Sequence, residues 1–167
     1  MFKMPGYIIH LAVGREYMKR NKIDDVKSFE KGIIAPDLKK DKRISHYGPN
    51  SANPDLNKFI QENPNFDNYT EGYFLHLATD YLFYNRFLKT WNKSIYEDYD
   101  LLNANLIKKY GIIIPSEIES IVRFKEGNPH IINEDELCSF INAVGKIDFR
   151  KIICQRDNVQ SQIEEEL

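Results

Sequence analysis

Cysteine is scarce: the 167-residue chain has two, Cys138 and Cys154. That excludes a disulfide framework. Both lie in apolar, helix-periodic stretches, so two buried free thiols are expected. Long hydrophobic runs are missing as well. Nothing approaches the ~20 apolar residues of a membrane span. The apolar stretch Tyr7–Val13 is too short for a signal peptide and is interrupted by His10, so the chain reads as cytoplasmic. No charge of one sign dominates: the net charge is −2 and the pI about 6.1. There is no basic recognition helix and no zinc-finger spacing, so nothing points to nucleic acid. Repeats and low-complexity linkers are absent, and nothing in the sequence fixes an oligomeric state.

What is present fits one domain with a core of its own. Hydrophobic residues make up 42% and charged residues 29%, ordinary proportions for a globular chain. A core of that size needs no metal staple, so a metal here would serve function. The charge is unevenly spread. Residues 1–50 hold eleven Lys/Arg against six Asp/Glu, and the rest is acidic, ending in Glu164, Glu165 and Glu166. A basic half favours an anionic substrate; solvated helix faces are the plainer explanation.

Helical periodicity runs through almost the whole chain. The pattern predicts a helix over residues 7–21, a helical turn near 25–31, and a non-helical segment Gly32–Asp37 punctuated by Gly32 and Pro36. Residues 39–53 read as a loop. Asn53 and Pro54 open a helix to about Glu62. Thr70 caps a long helix reaching about Trp91, and Ser94 caps another that ends at Gly111. Ile112–Ile114 is a short apolar connector. Ser116 and Glu119 form a capping box for a helix to about Lys125. Asn133 caps a helix that Gly145 ends, and Asp148 caps a last one that frays after Arg156. The expected fold is all-α, a single compact helical bundle: a first part (1–92) carrying the chemistry-bearing residues, additional helices (93–156), and a polar tail (157–167).

There are four histidines. His76 and Asp80, in Gly72-Tyr-Phe-Leu-His76-Leu-Ala-Thr-Asp80, are four residues apart and share one face of a largely apolar helix. An imidazole and a carboxylate so placed can converge on one cation. The alternative is a plain His–Asp hydrogen bond in the core. His10 lies among apolar residues at a helix start, Asp37 follows Pro36, and His46 sits in the segment Arg43-Ile-Ser-His46-Tyr-Gly. Each taken alone fits an ordinary core, turn or loop residue.

Taken in order, these segments resemble the zinc-dependent phospholipase C family, whose relatives include trinuclear zinc nucleases. The matching stretches are Met4-Pro-Gly-Tyr-Ile-Ile-His10, Phe29-Glu-Lys-Gly-Ile-Ile-Ala-Pro-Asp37, Ser45-His46-Tyr47 and Gly72 to Asp80. They cover roughly residues 4–90, about half the chain. The resemblance implies a compact helical bundle in which His10, Asp37, His46, His76 and Asp80 bind metal. His10 would belong to a neighbouring ion sharing a carboxylate with the first, and Met1 would be near enough to contribute its amine. Zinc is implied, one or two ions, with manganese or iron also compatible with these donors.

The departures are specific. No histidine follows Asp80 at the spacing of the three-metal members. The later His-xxx-Glu pair has one counterpart, His130 with Glu134, far downstream. A reduced site is therefore expected. The implied activity is hydrolysis of a phosphoester, in a small substrate or a phospholipid head group. Asp37 is the candidate base as well as a ligand, because its segment reads as the least constrained. Lys42 and Arg43, in the cluster with Lys39 and Lys40, and also Arg86, are candidate phosphate contacts; the sequence leaves open whether Tyr84 or Arg86 enters the pocket. A helical phosphohydrolase with adjacent His-Asp ligands has no footing, since that dipeptide does not occur. The competing expectation is a non-catalytic helical module with a structural metal, binding a partner through a surface bearing Tyr96, Tyr99 and Tyr110.

Overall fold

The computed structural model describes residues 6–167, all of whose regular structure is helical. In chain order the elements are α1 (Tyr7–Met18), α2 (Val26–Leu38), α3 (Lys42–Ser45), α4 (Leu56–Glu62), α5 (Asn68–Leu82), a π-helical turn (Phe83–Phe87), α6 (Ser94–Tyr110), a 3-10 turn (Ser116–Ile118), α7 (Glu134–Gly145), α8 (Phe149–Gln155) and α9 (Val159–Glu164). Met1 and the start of the first matching stretch lie outside the described residues. Among the described residues no helix is long and apolar enough to cross a membrane.

The helix starts follow local chemistry. The side chains of Asp25, Asp55, Asp67, Asn133 and Asp148 each accept a first-turn amide hydrogen, satisfying donors that the helix itself cannot pair. Asp55 and Asp67 thus cap where Asn53 and Thr70 were expected. Lys93, with no side-chain cap, precedes α6, and Gly111 closes that helix at φ 63°.

Five stretches differ from the sequence expectation, each for a physical reason. Gly32–Asp37 is helical, because α2 runs through Pro36. A proline so near the end of a helix forfeits one backbone bond, and Ile33, Ile34 and Ala35 are buried around it. Within the expected loop 39–53, α3 forms on an Asp41 cap. The long helix stops short of Trp91: Leu88 donates its N–H to Phe83 five residues back (2.8 Å), then turns extended. The capping box at Ser116 does not form. Its hydroxyl donates to Glu117 instead, and Ile118 alone is fully buried there, too little to offset helix nucleation. The tail does not fray at Arg156. It folds into α9, where Val159 and Ile163 are buried and Gln160 accepts from the Leu56 amide and donates to the Pro54 carbonyl.

One core runs from α1 to α9 and joins the two expected parts. Helices α2 and α5 pack against each other most extensively, while α1 is flanked by α2, α6 and α7. Cys138 is buried, whereas Cys154 is exposed. It falls on the outer side of α8, which packs through Phe149, Ile152 and Ile153.

Candidate metal centre

Three helices and one helix end bring the site together. His10 comes from α1, Asp37 from α2, His46 from the C-cap of α3, and His76 and Asp80 from α5. All five are buried, none more than 4% exposed. Ligand-type atoms of Asp37, His46, His76 and Asp80 lie within 4.8 Å of one another.

Asp80 is the hub. Its Oδ1 lies 2.9 Å from His10 Nε2. Its Oδ2 lies 2.9 Å from His46 Nε2 and 3.1 Å from His76 Nε2. Asp37 stands opposite, 3.5 Å from His76 Nε2 and 3.7 Å from His46 Nε2. The rings of His10 and His76 stack with centroids 3.6 Å apart.

A second layer aims these rings. His76 Nδ1 donates to the Ile33 carbonyl (2.6 Å). A carbonyl only accepts, so this bond places the hydrogen on Nδ1 and points Nε2 into the cluster, as outer partners of metal-binding histidines do. Ser45 Oγ is 2.9 Å from His46 Nδ1. Tyr73 donates to the Ser45 carbonyl (2.5 Å), tying α3 to α5 beside His46. Tyr47 follows in the left-handed region (φ 59°), an uncommon conformation for its side chain.

The electrostatics are those of a crowded acid–base cluster. Burial disfavours charge on His76, but Asp37 and Asp80 outweigh it and raise its pKa to about 10. Burial lowers the His10 pKa, and His76 adds to that. Burial alone would raise Asp80, yet His76 and His10 hold it well below the usual carboxylate range.

The cluster does not satisfy itself. Among the described residues, His10 Nδ1, both carboxylate oxygens of Asp37 and His76 Nε2 are buried without a hydrogen-bond partner. Orphaned polar atoms are costly in a protein interior. Three of them, on Asp37 and His76, belong to the group of four residues whose ligand-type atoms converge; they fit a divalent cation, and the donor set of nitrogen and oxygen suits zinc.

The other predicted residues divide. Lys42 reaches the site: its Nζ donates to the Asp37 carbonyl (2.8 Å) and lies 3.8 Å from Asp37 Oδ1. Arg43 is exposed and 3.6 Å from Asp41. Arg86 turns to the Glu164 carbonyl (3.0 Å), because the π-helical turn rotates it onto α9. His130 is half exposed and 3.5 Å from Glu97, and Glu134 accepts from Asn105. That pair does not join the cluster: the 127–133 segment is anchored elsewhere, by Asp98 accepting three successive backbone amides of residues 130–132. Tyr99 and Tyr110 are buried, so they form no binding surface with Tyr96.

Asp37 was expected on a loosely held segment; it lies on α2 and is 1% exposed. Tyr84 does enter, lining a narrow cavity with His10 and Asp80. Tyr7 went unrecognised; burial and then Asp37 raise its phenol pKa. Its place one turn before His10 was the available signal.

No family model matches the chain, and neither a curated protein nor a solved structure does.

Proposed function

We propose that the protein is a metal-dependent hydrolase of phosphoester bonds with a reduced site of one or two ions, zinc by donor chemistry. The observation that carries this reading is the buried cluster of Asp37, His46, His76 and Asp80, with His10 beside it, in which the Asp37 oxygens and His76 Nε2 have no hydrogen-bond partner among the described residues. His46, His76, Asp37 and Asp80 would hold one ion, and His10 with Asp80 a second. A bound divalent ion supplies Lewis acidity, polarising a phosphoryl oxygen and lowering the pKa of a water towards ~7.

The chain's own groups do the rest. Ile33 and Ser45 fix the histidine rings. Lys42, at the edge of the cluster, places a positive charge where a phosphate would approach. Asp37 is the candidate base, with an oxygen free of hydrogen bonds. The substrate class is a small phosphoester or a phospholipid head group.

A second reading, a non-catalytic module with a structural metal, is favoured by the depth of the donors: Asp37, His46 and His76 are 0–1% exposed. Zinc-loaded protein assayed against a panel of phosphodiesters decides between them. Hydrolysis that vanishes in His76→Ala and Asp80→Ala supports the hydrolase. Full metal occupancy without turnover of any member supports the structural metal.

A further inference from the structure

Beside the metal cluster lies a groove of about 890 Å³ between α3 and the segment after the π-helical turn. Two residues connect it to the cluster. Lys42 lines the groove while its Nζ contacts the Asp37 carbonyl. Tyr84 lines both the groove and the narrow cavity at His10 and Asp80.

The lining has a definite chemistry. Lys40, Lys42, Arg43 and Lys89 contribute four cations against the single carboxylate of Asp41. An anion is therefore the complementary occupant. The lining also includes Leu88 and Trp91, the chain's one tryptophan, which is 53% exposed. Tyr96 meets Trp91 edge-on, ring centroids 6.2 Å apart and planes at 81°. The indole is thus braced on one side and free on another. Pro49, Ala52 and Tyr84 add apolar surface to the wall, and Asn50, Ser51 and Asn53 edge it. The free face of the braced indole offers a flat ring a stacking partner that a flexible acyl chain cannot use as well.

We infer that this groove is a binding site for an aryl phosphoester: the ring stacks on Trp91, the phosphate meets the lysines, and Lys42 marks the end nearest the metal. The assignment of the phosphate to the metal side rests on the hydrolase reading; binding in the groove does not.

The test uses the whole chain loaded with zinc, and phenylphosphonate, whose P–C bond resists hydrolysis. Because Trp91 is the sole indole, its emission reports this groove alone, and calorimetry gives the affinities. The inference expects a blue shift with phenylphosphonate and tenfold or tighter binding than methylphosphonate, in line with aromatic stacking. Trp91→Leu erases that preference, and Lys89→Met weakens both ligands. Equal affinity for the two phosphonates, or unchanged emission, overturns the proposal. Hexylphosphonate binding as tightly as phenylphosphonate overturns the choice of a ring. Phenylphosphonate binding without hydrolysis of any phosphoester sinks the hydrolase and leaves the groove standing. Hydrolysis without aryl preference does the reverse.

Discussion

Gly32 of α2 and Gly72 of α5 face each other reciprocally across the helix crossing. A Cβ on Gly32 would lie 2.0 Å from the Tyr69 carbonyl oxygen, and one on Gly72 would lie 2.1 Å from that of Phe29. The backbones are in contact, and this brings Asp37 to His76 and the Ile33 carbonyl to His76 Nδ1. Alanine at either position gains about 1 kcal/mol of helix propensity but meets immovable backbone. Gly32→Ala and Gly72→Ala should each cost at least ~2 kcal/mol, measured by urea unfolding, and should lower metal affinity as the helices part. An unchanged midpoint would mean that the crossing is looser than described.

Asp37 has a different balance. Among the described residues its buried oxygens have no hydrogen-bond partner, and without metal its charge is balanced through His76, 3.5 Å away. Asp37→Asn keeps the shape and removes the charge. Metal-free stability should fall near neutral pH, where His76 loses a charge partner, and zinc affinity should drop at least ~10-fold. Calorimetric titration and thermal melts of chelator-treated protein check both.

Glu71 serves structure alone. It is 5% exposed, accepts the Tyr17 hydroxyl and receives two bonds from Arg150 at 2.7 and 3.1 Å. Removing it leaves a buried phenol and a half-buried guanidinium unpaired. Glu71→Ala should cost ~2–4 kcal/mol, less than a fully buried pair because Arg150 is 41% exposed. Metal content per folded molecule should stay unchanged.

The metal-free protein should be most stable near pH 6.5. His76 is raised from 6.5 to about 10, so its contribution is complete below 6.5 and is lost as pH climbs towards 10. The His10 pKa is lowered from 6.5, so unfolding takes up a proton, and stability falls, as pH drops below 6.5. Melting temperatures of chelator-treated protein from pH 5 to 9 test this dome. A monotonic rise through pH 9 would contradict the His76 assignment.

Much of the fold was legible because capping is local. Asn133 and Asp148 are read from side chains within one turn, and both act as expected. His76 and Asp80 were legible because one helix fixes their relation. Asp37 was misplaced because Pro36 signals a break, and only packing of α2 on α5 shows that the helix continues through it. The Ser116 box failed for the opposite reason: good local signals met too little apolar surface. The Trp91 groove could not be foreseen, since it is assembled from α3, the following loop and the segment after Phe87.

The central claim is that the five-residue cluster holds metal. The direct measurement is metal content by mass spectrometry on protein purified without added metal or a histidine tag. One or two equivalents of zinc, iron or manganese, lost in His76→Ala and Asp80→Ala, is the predicted result. No bound metal, even after incubation with zinc, would contradict it and leave His10, His46 and His76 as structural histidines.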